Sequence, residues 1–138
     1  MGLFKWKDEF SVNNEELDQQ HKLFLDTLNT VQNRIGSVES SEVFKKSITA
    51  LGHYIDVHFI EEEEHLVAIG YPHLDRQRQQ HDFFRARISE LEKSCQGFSD
   101  KELEKLLVFM RDWFLNHVLE ADQDYARYAS DEKMLYSA

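Results

Sequence analysis

The chain has 138 residues, of which 41% are hydrophobic and 30% charged, the balance of a single globular domain with its own core. Its formal net charge of −10 argues against nucleic acid and against an anionic membrane surface as partners, because both carry negative charge. No apolar run reaches the ~20 residues that span a bilayer, and the first residues lack the basic and apolar regions of a signal peptide. The single cysteine, Cys95, has no partner for an internal disulfide, so we expect the reducing cytoplasm as the compartment. We also expect a monomer.

The first predicted helix covers about residues 15–35 and follows two good capping residues, Asn13 and Asn14. Its apolar residues recur at steps of three and four, which places them on one face of an α-helix. Gly36 and a polar stretch end it. The predicted buried face consists of Leu17, His21, Phe24, Leu28, Val31 and Ile35.

The second predicted helix covers about residues 41–69 and stops at the Gly70-Tyr71-Pro72 turn, because proline cannot continue a helix. The third covers about 75–95, and the fourth covers about 100–128. Gly97 is predicted to break the third helix, and Ser99 with Glu102 resembles a capping box for the fourth. The buried faces of these three helices are predicted to contain Phe44, Ile48, Leu51, Ile55, His58, Glu62, Leu66 and Ile69; then Gln77, His81, Phe84, Ile88, Leu91 and Cys95; and finally Leu103, Leu107, Met110, Phe114, His117, Ala121, Tyr125 and Tyr128.

Four amphipathic helices with short connections predict an all-α fold, an up-down-up-down four-helix bundle, in one domain that spans 1–138. Residues 1–14 are predicted to form an arm that packs Trp6, Phe10 and Val12 on the outside of the bundle.

Polar side chains interrupt the buried faces of all four helices. Burying an imidazole or a carboxylate costs several kcal/mol unless the group is paired or binds a metal. Only Glu62 of the run 61–64 points inward, so we expect Glu63 and Glu64 to be solvated. In an up-down bundle the inward polar residues all lie about 10 Å below one end. The converging set consists of His21, His58, Glu62, His81, His117 and Asp122.

Asp122 fits this layer less simply, because it follows His117 by five residues, about 140° around a regular helix. Either a metal lies between the two side chains or the helix loosens locally, as π-type bulges do at functional sites. Imidazoles with carboxylates suit iron, manganese or zinc, and carboxylates from different helices suit a dinuclear site. The cluster contains no cysteine, which weighs against iron–sulfur and structural zinc sites.

These motifs, in this order and spacing, resemble the hemerythrin family, in particular its single-domain bacterial members, the bacteriohemerythrins. The resemblance covers nearly the whole chain. It is carried by Trp6 with Phe10-Ser11-Val12, Asp18 with His21, His58-Phe59 with Glu62-Glu63, Gly70-Tyr71-Pro72, His81, and His117 with Asp122.

The resemblance implies two iron ions with a bridging oxo or hydroxo group and reversible dioxygen binding for storage, transport or sensing. One iron is then held by His21 and His58. The other is held by His81, His117 and a histidine four residues before His81, while Glu62 and Asp122 bridge the pair. This sequence departs from the pattern at that further histidine, where it has Gln77.

Three replacements for the missing imidazole stay open: a water molecule, the amide of Gln77 itself, or His65, which lies level with position 77 across the turn. We expect His53 to be solvated and His73 to cap the third helix or face water.

Two other functions compete with dioxygen binding. An extra open position beside Gln77 would suit a di-iron enzyme that reduces peroxide or nitric oxide. Alternatively, the chain is a sensory module of a signalling system. A metal-free bundle is the least consistent reading, because it leaves six buried polar groups unpaired.

Overall fold

The computed structural model describes residues 4–38, 40–94 and 100–137, and these residues form four long helices and no strand. A 3₁₀ turn, Asp8–Phe10, precedes them. We number the helices α1 (Glu15–Arg34), α2 (Ser40–His53, Tyr54–Phe59 and Ile60–Ala68 in succession), α3 (Leu74–Ser94) and α4 (Asp100–Trp113, Phe114–Ala121 and Asp122–Ser137 in succession). The middle segments of α2 and α4 are π-helical. The predicted all-α four-helix fold is confirmed.

The last helix is longer than the sequence analysis predicted. α4 continues to Ser137, whereas the prediction ended near residue 128. The apolar stripe fades after Tyr128, but residues 129–137 contain no glycine or proline, so nothing in the sequence stops the helix. The predicted roles of Cys95, Gly97 and Ser99 lie outside the described residues.

Local signals set the helix ends near the predicted layer of polar residues. Asn14 caps α1, and its side-chain oxygen accepts a hydrogen bond from the backbone N–H of Leu17 at 3.1 Å. Asn13 does not cap but takes the left-handed backbone conformation, with φ of 59°. At the end of α2, Gly70 has φ of 67°, and the Tyr71 N–H donates to the Leu66 carbonyl at 3.0 Å. This is a Schellman termination, which glycine favours because it has no Cβ to clash.

Contacts between helix ends establish the up-down-up-down arrangement. At one end, the backbone N–H of Gly36, just after α1, donates to Asp100 at the start of α4 at 3.1 Å. At the other end, Gln123 of α4 donates to the carbonyl of Phe10, just before α1, at 2.9 Å. There the hydroxyl of Tyr128 also donates to Gly70, in the turn between α2 and α3, at 3.1 Å. The start of α1, the α2–α3 turn and the late part of α4 therefore meet at one end.

Two apolar clusters fill the bundle, and they flank the polar layer. The larger includes Phe24, Phe59 and Val118, and the smaller includes Leu17, Leu66 and Tyr125. On each of α1, α2 and α4 the candidate ligands fall between members of the two clusters, so the polar layer is enclosed by hydrocarbon on both sides along the bundle axis.

The arm corrects one prediction. Trp6 and Phe10 are partly buried against the larger cluster, as expected of an arm on the outside, but Val12 is buried in the smaller cluster with 2% of its surface exposed. The reason is Asp18 of α1. Its carboxylate accepts hydrogen bonds from the Val12 N–H at 2.8 Å and from the Ser11 hydroxyl at 2.5 Å, which turn the chain inward before the helix begins. In the described ranges, no helix is long and apolar enough to cross a membrane.

Candidate metal centre

The six predicted side chains come together in one buried layer, none of them more than 3% exposed. Atoms of His21, His58, Glu62 and Asp122 lie within 4.8 Å of one another, and so do atoms of Glu62, His81 and His117. We call His21 and His58, with the carboxylate oxygens nearest to them, the α1/α2 half of the centre. His81 and His117, with the carboxylate oxygens nearest to them, form the α3/α4 half.

Each carboxylate places one oxygen in each half. Glu62 Oε2 lies 3.3 Å from His58 Nε2, and its Oε1 lies 2.8 Å from His81 Nε2. Asp122 Oδ2 lies 3.2 Å from His21 Nε2, and its Oδ1 lies 3.0 Å from His117 Nε2. This is the geometry of two bridging carboxylates between two pairs of imidazoles.

The π-helical segment Phe114–Ala121 explains how Asp122 reaches this layer. The backbone N–H of Asp122 donates to the carbonyl of His117, a bond over five residues rather than the four of an α-helix. Residues five apart are therefore stacked on one face. Of the two explanations that the sequence left open for the spacing of His117 and Asp122, local loosening of the helix is the one observed.

The sequence analysis did not predict the second π-helical segment, Tyr54–Phe59 in α2. Tyr54, His58 and Phe59 are all buried there. The ring of Tyr54 stacks on the imidazole of His58 with centroids 4.6 Å apart and planes at 11°. The apolar steps of three and four in this stretch also fit a regular α-helix, so periodicity gave no sign of the change.

A second set of polar side chains holds the far nitrogens of three histidines. Gln20 lies 2.6 Å from His58 Nδ1, and Gln80 lies 2.5 Å from His117 Nδ1, each through its amide oxygen. Such contacts fix the ring orientation and the tautomer, so that Nε2 is free to bind a metal. Sequence reasoning missed both glutamines, although Gln20 directly precedes the candidate ligand His21.

Glu63 corrects a prediction. We expected it to be solvated, but its Oε2 lies 2.8 Å from His81 Nδ1, while Arg78 approaches its other oxygen at 3.3 Å. A residue next to an inward position sits at the edge of the buried stripe, where a long side chain can still reach across to α3. Glu64 is exposed, as predicted.

Aromatic rings pack flat against the imidazoles. Phe59 stacks on His81 with centroids 3.9 Å apart, and Trp113 stacks on His117 at 4.0 Å. The indole N–H of Trp113 donates to the Tyr54 hydroxyl at 3.3 Å. These contacts fix the planes of the rings and keep water away from them.

The electrostatics of the layer follow from burial and from the two carboxylates. Burial lowers the pKa of His21, but Asp122 and Glu62 outweigh it and raise the pKa to about 9. The pKa of His117 is likewise raised to about 9 against burial by Asp122 and Glu62. Burial raises the pKa of Glu62, but His58, His117 and His21 bring it well below its usual range. Glu62 is therefore an ionised carboxylate, which is the form that binds a metal.

Gln77 is in the layer and His65 is not. Gln77 is 2% exposed, and its amide nitrogen donates to Asp122 Oδ1 at 3.0 Å. His65 is half-buried at the edge of the bundle, where its Nδ1 lies 3.5 Å from the amide nitrogen of Asn14 and its ring meets Tyr125 edge-on at 5.9 Å. His53 and His73 are exposed, as expected.

The residues present fit a metal centre. His117 Nε2 and Asp122 Oδ2 are buried and lack hydrogen-bond partners among the described residues. His117 Nε2 lies 3.0 Å from Asp122 Oδ1, and Asp122 Oδ2 lies 3.2 Å from His21 Nε2, but neither contact is a hydrogen bond. A buried polar group without a partner costs about 1–3 kcal/mol, and a bound cation would satisfy these atoms together. The donor set of nitrogen and oxygen atoms suits non-heme iron.

Comparisons with known proteins identify the family to which this chain is similar. The family model described as the hemerythrin HHE cation binding domain matches residues 12–129. The bacteriohemerythrin of Clostridium acetobutylicum is 29% identical over 127 residues, which cover 89% of this chain and 98% of that protein. The myohemerythrin of Theromyzon tessulatum is 25% identical over 123 residues, covering 88% and 90%. A crystal structure of a hemerythrin leucine-to-tyrosine mutant superposes with a TM-score of 0.76 at 27% identity, covering 94% of this chain and 99% of that one.

Proposed function

This chain belongs to the hemerythrin family, and we propose that it binds dioxygen reversibly at a non-heme di-iron centre between its four helices. The observation that carries the proposal is the pair of buried carboxylates, Glu62 and Asp122, each of which directs one oxygen to each pair of imidazoles. A mononuclear site does not need that arrangement, whereas a dinuclear one does.

The ligands divide between the two halves. His21 and His58 would hold one iron and His81 and His117 the other, and Glu62 and Asp122 would supply an oxygen to each, with an oxo or hydroxo group completing the centre. When bound, the iron pair supplies the two electrons that dioxygen needs to bind reversibly.

Neighbouring side chains orient the candidate ligands and shield them from water. Gln20, Gln80 and Glu63 orient three imidazoles through their Nδ1 atoms. The hydroxyl of Tyr125, itself buried, donates to Glu62 Oε2 at 2.9 Å and so fixes the rotation of that carboxylate. The apolar clusters above and below the layer exclude water from the candidate ligands.

We further propose that residues 1–138 act as one domain and one monomer in the cytoplasm, where a reducing environment keeps the iron ready to bind oxygen. The alternative of a di-iron enzyme that reduces peroxide or nitric oxide is not favoured. The relatives reported above bear hemerythrin names, and none of those names describes an enzyme.

The test is metal analysis combined with an optical spectrum of the reduced protein before and after exposure to air. We expect close to two irons per chain and a new visible band on oxygenation that disappears when oxygen is removed. A protein that contains one zinc and no iron, or whose band does not reverse under inert gas, would contradict the proposal.

A further inference from the structure

The two halves of the centre contain the same number and the same types of donor atom. The α1/α2 half has two imidazole nitrogens, from His21 and His58, and one oxygen from each bridging carboxylate. The α3/α4 half has the nitrogens of His81 and His117 and the other oxygen of each carboxylate. Among the described residues, no further histidine, cysteine, aspartate or glutamate joins either group of candidate ligands.

The surroundings of the two halves also match. In each, a glutamine holds the Nδ1 of one histidine, Gln20 for His58 and Gln80 for His117. In each, the same glutamine and histidine line a cavity. One lies between α1 and α2 with a volume of about 470 Å³, and the other lies between α3 and α4 with a volume of about 300 Å³. Open space therefore adjoins one histidine of each half on the side of its glutamine partner, whereas Gln77 lines neither cavity.

Gln77 occupies the position from which a further donor to the α3/α4 half would be expected, since its amide lies 3.0 Å from Asp122 Oδ1. A carboxylate oxygen only accepts hydrogen bonds, so the amide nitrogen of Gln77 is the atom that faces Asp122 Oδ1. The amide oxygen of Gln77 is then left buried without a hydrogen-bond partner. An acceptor in this position would be satisfied by a ligand that carries a proton, such as metal-bound water.

Resting on the function proposed above, we propose that this centre has two exchangeable ligand positions, one on each iron, and that the second takes water or a small anion beside Gln77. Octahedral iron has six positions. Four protein donors and one shared bridging oxygen would fill five of them in either half, which would leave one open on each iron. The second position is a binding site for small ligands that a centre with a third imidazole in the α3/α4 half would lack.

Azide is a suitable probe because it is a small anion that binds ferric iron and gives a visible charge-transfer band. Azide bound per chain is measured by equilibrium dialysis and calorimetry on the iron-loaded, oxidised protein, with iron content determined on the same samples. We expect two azides per chain for the unmodified protein and one for Gln77→His, because the new imidazole fills the second position. The matched control is Gln79→His on the exposed face of α3, which should still bind two.

The metal alone gives a second readout that needs no ligand. In a Co²⁺ titration of the metal-free protein, Gln77→His should tighten one of the two binding steps roughly tenfold or more, since loss of even an outer-shell partner changes metal affinity by 10–100-fold. Gln79→His should change neither step.

The outcomes separate the two proposals. One azide for both the unmodified protein and Gln77→His would overturn the second position but leave the dioxygen site standing. One azide for the unmodified protein and two for Gln77→Ala would also overturn it, because the amide itself would then fill the position. Two azides for Gln77→His would show that position 77 does not face the iron. No azide and no oxygen band in any variant would refute the proposed function itself.

Discussion

Replacing Glu62 by alanine tests the site at its centre. Glu62 is fully buried, contributes an oxygen to each half, and accepts a hydrogen bond from the Tyr125 hydroxyl. Alanine removes the bridge, so we expect Glu62→Ala to lose the dinuclear centre and to retain at most one iron per chain. Glu64→Ala is the matched control two residues away, because Glu64 is exposed.

The effect on the metal-free protein follows from the same contacts. Glu62→Ala leaves His81 Nε2 and the Tyr125 hydroxyl without their partner at 2.8 and 2.9 Å. Removing one member of a buried ionic network costs about 3–5 kcal/mol, because the remaining charges stay buried. In a domain of this size that corresponds to a fall in melting temperature of roughly 10–20 °C. Glu64→Ala should stay within about 0.5 kcal/mol of the unmodified protein.

Iron content is measured by elemental analysis and stability by calorimetry of the metal-free proteins. If Glu62→Ala and Glu64→Ala lost iron equally, the assignment of Glu62 as the bridging residue would be wrong. If Glu62→Ala kept two irons but melted early, the side chain would be structural and the centre would lie elsewhere.

Three further experiments test the orientation of a ligand, the turn at Gly70 and the charge of the buried histidines. Gln20→Ala should weaken metal binding about 10–100-fold by freeing a ligand imidazole to rotate; an unchanged Kd in a metal titration would count against it. Gly70→Ala should destabilise the fold by about 1–2 kcal/mol, because φ at Gly70 is +67°. Gly52→Ala lies in a helix with open space around it and should stabilise the fold by about 0.5–1 kcal/mol. Denaturant unfolding that shifted the stability of both variants in the same direction would refute this prediction. In the metal-free protein His21 and His117, with pKa values raised to about 9 over the ordinary 6.5, stabilise the fold fully below pH 6.5 and lose that contribution as pH rises through about 9. Equal unfolding free energies at pH 6.5 and 10 would contradict that reasoning.

The sequence by itself determined the helices and the identity of the polar residues inside them. Both follow from local periodicity, because a histidine or carboxylate at an i+3 or i+4 step of an apolar stripe lies on the face of the helix that packs against the core. That is why Glu62 could be separated from Glu64, and why Gln77 was identified as an inward residue, before any tertiary contact was known. The sequence also predicts the turn at Gly70, because glycine tolerates the turn conformation and Pro72, two residues later, cannot continue a helix.

Only the tertiary structure decided how these residues meet. The carboxylate of Asp122 reaches the layer through a π-helical turn, a change of backbone hydrogen bonding that apolar spacing does not encode. Glu63 reaches across to an imidazole of α3, and His65 turns away to Asn14, because the packing of neighbouring helices sets distances that no single helix contains. The similarity of the two halves of the centre also depends on tertiary structure. One oxygen of each carboxylate lies on each side, and partners from other helices, rather than the position in the sequence, fix the rotation of the carboxylate.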